Sequence, residues 1–250
     1  MLRGFYNAAQ AMIHQQRELD SISNNVMNIN TPGYRKDRIV KNTFMEELIL
    51  VRGRTRLSGT FHQTYIENNR VNLEQSNFEF TESRFDMAIW GNVYFNIRTT
   101  NEIPNVYQTR NGQFELDSEG YLVLGRAGRV QGQNGDIYIG HDDFVVHDDG
   151  TIRNDGGVID VLLLTYIPED ADVRKISDTL FRYDGDAEMP ADEVFAVIQG
   201  GFEKSNVDAN MEMARAMEVQ RLYEANSQIL KYIDTMNSRS TSLAKSGSAG

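Results

Sequence analysis

The sequence has no cysteine. Disulfides, thiolate nucleophiles and cysteine-ligated metals are therefore excluded, and composition carries no trace of the redox compartment. Long hydrophobic runs are also missing: apolar stretches such as Val161 to Leu164 are far short of the roughly 20 residues that cross a membrane. Near the start, Arg3 is basic, but Asn7, Gln10, His14 and Gln15 interrupt any apolar core that a signal peptide needs. No cleaved signal and no membrane insertion are expected. Positive charge is scarce overall, with a net charge of −11. Residues 1–60 carry 9 Lys and Arg against 5 Asp and Glu, so the remainder is strongly acidic, most of all between His141 and Glu193. That balance argues against nucleic acid as a partner.

Catalytic signatures are lacking too. There is no Gly-x-Ser-x-Gly elbow, and no Gly-Lys-Ser/Thr follows Gly125, Gly128, Gly132 and Gly135, which suit β corners better than a phosphate cradle. His14 is followed by Gln15 and Gln16, and His62 stands alone. The repeat His141-Asp142-Asp143 and His147-Asp148-Asp149 is the one metal-like pattern. In an extended chain the two imidazoles would be roughly 20 Å apart at about 3.3 Å per residue, too far to share one ion unless the chain folds back. Nor does Asp148-Asp149-Gly150-Thr151 continue into an EF-hand spacing; it reads as a hairpin turn. No enzyme and no cofactor are expected.

What the chain does have is helical patterning at both ends. Val219, Leu222, Asn226, Ile229, Ile233, Met236, Ser240 and Leu243 alternate spacings of three and four, as in a heptad seam. Ser205 and Asp208 form a capping-box pattern before this helix. If helical, residues 207–245 would extend roughly 58 Å at about 1.5 Å per residue. A helix of that length needs a long partner. At the other end Leu2, Phe5, Ala9, Met12, Gln16 and Leu19 step in the same way, with Ile22, Val26 and Ile29 beyond. Pro32 and Gly33 end that helix. Met211, Met213 and Met217, interleaved with alanines, widen the apolar surface of the C-terminal helix, and packing in an assembly is the favoured reading.

Between the helices the period switches to two, with turn signals at Asn111-Gly112, Asn134-Gly135, Asp149-Gly150, Asp155-Gly156 and Asp184-Gly185. Strands are expected near 93–98, 105–109, 113–116, 121–124, 136–140, 144–147, 158–167, 179–183 and 194–199. Phe44 to Leu50 suits a brief helix, and the Arg- and Gly-containing residues 52–60 read as a linker. The expected fold is α+β. Residues 1–41 with 202–250 form a discontinuous coiled-coil domain, 42–70 a linker and 71–201 a central antiparallel β domain.

Ser23-Asn24-Asn25-Val26-Met27-Asn28-Ile29-Asn30-Thr31-Pro32-Gly33-Tyr34-Arg35 resembles the N-terminal signature of bacterial flagellar axial proteins, the rod and hook subunits, and especially the basal-body rod proteins. Ser23 and Met27 stand where that family usually has alanine. Gln199-Gly200-Gly201-Phe202-Glu203-Lys204-Ser205-Asn206-Val207-Asp208 is similar to its C-terminal motif, departing at Phe202 and Asp208, and Gln220 to Asn226 continues the likeness. Phe85 to Gly91, Tyr107 to Phe114 and Asp117 to Val123 resemble its β domain, with departures at Trp90 and Asn92-Val93.

The resemblance implies a basal-body rod subunit that is exported by the flagellar type III apparatus without a cleaved signal, polymerises into a hollow shaft across the periplasm and transmits torque. Its implied partners are copies of itself, other rod and hook subunits, and the export apparatus. The assembly contacts are expected at Leu2, Phe5, Met12, Leu19, Asn24, Asn25, Asn28, Asn30, Thr31, Gly33 and Tyr34 in the N-terminal part. At the other end they are expected at Ser205, Asn206, Val207, Leu222, Asn226, Ile229, Ile233 and Met236. A hook subunit is the nearest alternative, although the middle of the chain is short for one. From other classes, the rivals are a β binding module oligomerised by a coiled coil and a metal-dependent hydrolase built on the His-Asp repeat.

Overall fold

Alternating Val, Ile, Phe and Tyr residues punctuated by Asp-Gly and Asn-Gly pairs dictate short antiparallel strands, and the periodic ends dictate helices. The computed structural model describes residues 2–43, 65–99, 105–141, 143–185, 190 and 194–247. The element order is α1 (Leu2–Met27), β1 (Asp37–Thr43), β2 (Tyr65–Val71), β3 (Phe78–Phe80), β4 (Met87–Trp90), β5 (Val93–Arg98), β6 (Val106–Thr109), β7 (Glu115–Leu116), β8 (Leu122–Leu124) and β9 (Gly128–Gly132). It continues through β10 (Gly135–Asp136), β11 (Val145–Val146), β12 (Thr151–Asn154), β13 (Gly157–Val161), β14 (Leu164–Tyr166), β15 (Arg174–Lys175), β16 (Leu180–Arg182), β17 (Ala196–Gln199), β18 (Gly201–Glu203) and α2 (Ala209–Gly247). The fold is α+β, as expected. The expected helix at 44–50 and linker at 52–60 lie outside the described residues, as does Asp142.

The chain divides into two compact units. One comprises Met1–Val26, Asp37–Asn69 and Ala209–Gly250; the other comprises Met27–Lys36 and Arg70–Asp208. In the second, the main sheet runs β15-β16-β6-β5-β9-β8-β7, with β10 on β9 and β14 on β5. A three-stranded sheet β11-β12-β13 and the pairs β17-β4 and β18-β3 complete it. Its largest apolar cluster includes Met87, Phe95, Ile97, Leu122, Val130 and Ile152; a smaller one holds Leu73, Tyr94, Ile167, Val173 and Phe181.

Two sequence expectations are corrected. Residues 158–167 are not one strand: Leu162 bridges to Gly132, so the chain leaves one sheet after β13 and joins another as β14. The capping box does not form, because the helix begins at Ala209 with Asp208 in the capping position. Ser205 lies upstream in non-helical chain, its hydroxyl accepting the Val207 amide at 3.4 Å. His147-Asp148-Asp149-Gly150 closes the hairpin between β11 and β12: His147 N donates to Thr151 O and Gly150 N to His147 O, both at 2.9 Å. Asp149 Oδ1 also accepts the Thr151 amide at 2.9 Å.

Candidate assembly surface

Within the helical unit, α1 and α2 meet along polar residues. Asn226 Nδ2 donates to Gln15 Oε1 at 3.2 Å, Arg215 Nη2 to Glu18 Oε1 at 2.8 Å, and Asn25 Nδ2 to Glu212 Oε2 at 3.4 Å. Residue numbers rise on one helix as they fall on the other, so the helices run antiparallel. Asn25 also binds the backbone of Asp37 in both directions, at 2.9 and 3.0 Å. Ala8, His14, Gln15, Glu18, Ile22 and Asn25 are the buried positions of α1. On α2, Glu212 and Val219 are buried, while Tyr223, Asn226, Leu230 and Ile233 are half-buried. That stripe has heptad spacing.

It is not the whole of the expected apolar seam. Val219, Asn226 and Ile233 belong to both stripes, but Leu222, Ile229 and Met236 project to solvent, at 49, 47 and 61% exposure. Phe5, Tyr6 and Ile13 on α1, and Met211, Met213, Met217 and Tyr232 on α2, are exposed as well. A groove of about 520 Å³, bordered by Ala9, Met12, Ile13, Gln16, Tyr223 and Leu230, opens between the helices. Among the described residues, each helix thus has an inner stripe whose polar groups are satisfied within the chain and an apolar outer stripe left uncovered.

In the β unit, two signature segments meet at a buried charged cluster. Glu203 receives Arg35 Nη1 on Oε1 at 2.7 Å and Arg110 Nη1 on Oε2 at 3.2 Å, and all three side chains are essentially inaccessible. The Ser76 amide adds a 2.6 Å bond to Oε1. Arg110 also donates to the carbonyls of Ile89 and Gly91 and lies 4.5 Å above the Tyr94 ring. Burial alone pulls the Arg35 guanidinium down, but Glu203 and Tyr94 outweigh it and hold it above the usual arginine value. Arg110, farther from the carboxylate and facing the Arg35 charge, is held below that value, chiefly by burial. Beside them Tyr34 is fully buried, with Lys175 Nζ 3.8 Å from its ring centroid. Asn206 Oδ1 accepts the Lys36 amide at 2.7 Å while its Nδ2 reaches Asn72 O at 2.9 Å.

The expected interface residues therefore fall into two groups. Phe5, Met12, Leu19, Leu222, Asn226, Ile229, Ile233 and Met236 lie on the helices, at least half-exposed or lining the paired face; the Leu2 side chain is outside the described residues. Asn24, Asn28, Asn30 and Thr31 are half-buried or exposed around the end of α1, with Thr31 Oγ1 bonded to Asn28 Oδ1 at 3.1 Å. Asn25, Gly33, Tyr34, Ser205 and Val207 are buried inside their own unit, and half-buried Asn206 is tied to it by hydrogen bonds. Arg35, Arg110, Glu203 and Tyr94 were not among the expected residues. The signal was present for three of them: each stands in a segment that carries the family likeness, as a charged residue flanked by uncharged neighbours on at least one side.

The two terminal helices belong to one unit and most of the chain between them to a separate β unit. Three family descriptions match this chain: "Flagella basal body rod protein" at residues 5–35, "Flagellar hook protein FlgE/F/G D1 domain" at 88–159, and "Flagellar basal body rod FlgEFG protein C-terminal" at 198–243. The flagellar basal-body rod protein FlgG of Bacillus subtilis (strain 168) is 29% identical over 262 residues, covering 94% of this chain and 96% of that protein. FlgG of Caulobacter vibrioides is 28% identical over 257 residues, covering 94 and 97%. The flagellar hook protein FlgE of Borreliella burgdorferi is 28% identical over 140 residues, which are 53% of this chain and 31% of that protein. The chain belongs to the flagellar basal-body rod and hook protein family.

Proposed function

We propose that the protein is a structural subunit of the flagellar basal-body rod, polymerising through its terminal helices into a hollow helical shaft that carries torque across the periplasm. The observation that carries this reading is the two-sided character of α2. Its inner stripe is satisfied by α1 through Asn226, Arg215 and Glu212, while Leu222, Ile229 and Met236 form an outer stripe that none of the described residues covers. Such a stripe needs a second helix, and coiled-coil packing against neighbouring copies supplies one. A contact that pairs one face of a subunit with a different face of the next does not close on itself, and it generates a helical polymer. Rod is preferred to hook because the rod relatives are matched over nearly their whole length, and the hook protein over less than a third.

On this reading the partners are copies of itself, the adjoining rod and hook subunits, and the export apparatus that delivers the chain without a cleaved signal. No catalytic role is assigned. Electron microscopy of the purified protein at rising concentration tests the proposal. Open helical fibres or tubes are expected, and closed dimers or trimers would overturn it in favour of an oligomeric binding module.

A further inference from the structure

Residues 199–208 stand apart from the rest of the β unit in what holds them. Neither apolar cluster contains any of them; the larger ends at Val197. Besides the β18–β3 ladder and the buried side chain of Val207, their attachments are hydrogen bonds, an exposed Lys204–Glu79 ion pair and one buried ion cluster. Gly200 N donates to Asp86 O at 2.8 Å and Thr81 N to Gly200 O at 2.7 Å; Gly33 N reaches Glu203 O at 2.7 Å and Lys204 N reaches Asn77 O at 2.9 Å. Ser76 Oγ donates to Ser205 O at 2.9 Å, and Asn206 ties Lys36 to Asn72. Glu203 is the carboxylate that meets both buried guanidiniums, Arg35 and Arg110, and it comes from 168 and 93 residues away in sequence. Even so, the charges do not balance: two cations share one anion, and Arg35 Nε and Nη2 and Arg110 Nε have no hydrogen-bond partner among the described residues.

We propose that residues 199–208 are a polar strap that closes over an independently folded apolar core and is locked by Glu203. Apolar burial drives the core together with little contribution from the strap, whose buried apolar side chain is Val207. Closure then depends on one carboxylate meeting two guanidiniums that are costly to bury alone. Opening the strap unpairs β18 from β3 at the point where the chain runs on into Ala209, while the main sheet stays formed. Segments that open below the global unfolding free energy are those with few apolar contacts. The strap meets that description.

Amide hydrogen exchange on the soluble full-length monomer tests this independently of any assembly. In the unaltered chain the amides of Gly200, Lys204 and Asn206 should exchange faster than those of Leu122 and Ile137, which are bonded inside the core. Glu203→Gln should raise exchange in the strap by at least about tenfold and leave Leu122 and Ile137 unchanged. Adding Arg35→Met to that variant removes one uncompensated guanidinium and should return strap exchange towards the original rate. Strap and core amides that accelerate together, up to complete unfolding, would overturn the proposal by making them one cooperative unit. Unchanged strap exchange in Glu203→Gln, or no recovery with Arg35→Met, would overturn Glu203 as the lock.

Discussion

Gly33 shows how much one residue carries here. It adopts φ +67°, and a Cβ at this position would run into the backbone of Arg110 and Asn111. Gly125 also has positive φ, +46°, but faces open space. Gly33→Ala should therefore cost more than about 3 kcal/mol, the backbone penalty plus a clash with main chain, whereas Gly125→Ala should cost about 1–2 kcal/mol. Urea titrations of the two variants check the difference. Asp149 gives a pH prediction. The Thr151 amide, followed by the Thr151 hydroxyl, holds its carboxyl below the usual carboxylate range. A depressed folded value means that the stabilisation is present above the unfolded value of about 3.9 and is lost as pH falls through the lower folded one. Asp149→Asn should thus show a shallower loss of stability below about pH 4, read from thermal midpoints across an acid series. The turn around Asp149 was legible in the sequence because Asp-Gly pairs enforce it locally. The meeting of Arg35, Arg110 and Glu203 was not, since a charged residue in sequence looks like a solvated one until long-range pairing buries it.

Among elements, the helices separate two roles that their sequence merges. Hydrophobic periodicity finds the apolar stripe but not whether its partner is the same chain or another copy. Leu222, Ile229 and Met236 were legible as an apolar stripe, which the structure leaves exposed, whereas the stripe used inside the subunit is lettered by Gln15, Glu18, Asn25, Glu212 and Arg215. Ile229→Asp should leave the helix content and melting of the monomer intact and abolish fibres, because a buried unpaired carboxylate costs on the order of several kcal/mol at each subunit contact. Leu230→Asp, on the half-buried side, should instead lower the melting of the helix pair itself. Circular dichroism together with sedimentation distinguishes them. Strands followed a similar rule. β5 and β6 were legible from alternation and aromatic content. β9, bounded by Gly128 and Gly132, and β18, Gly201-Phe202-Glu203, have weak strand propensity and exist because partners at Val123, Arg98 and Phe80 pair with them.

For the whole molecule, most buried apolar side chains belong to the β unit, whereas the described apolar residues buried on α1 and α2 are Ala8, Ile22 and Val219. Long helices with little apolar burial offset their ordering entropy only narrowly. In isolated monomers the amides of α1 and α2 should therefore exchange faster than those of β5, β6 and β9, and incorporation into fibres should protect both helices. Hydrogen exchange before and after assembly reads this directly; full protection of the helices in a verified monomer would contradict it. Finally, Gly33 N lies 2.7 Å from Glu203 O, and Asn206 N 3.3 Å from Tyr34 O. The β unit thus begins and ends at one doorway, the arrangement that makes a domain tolerant of insertion and replacement. A module closed at its own base can be enlarged, trimmed or exchanged for another without re-spacing the chain segments on either side of it.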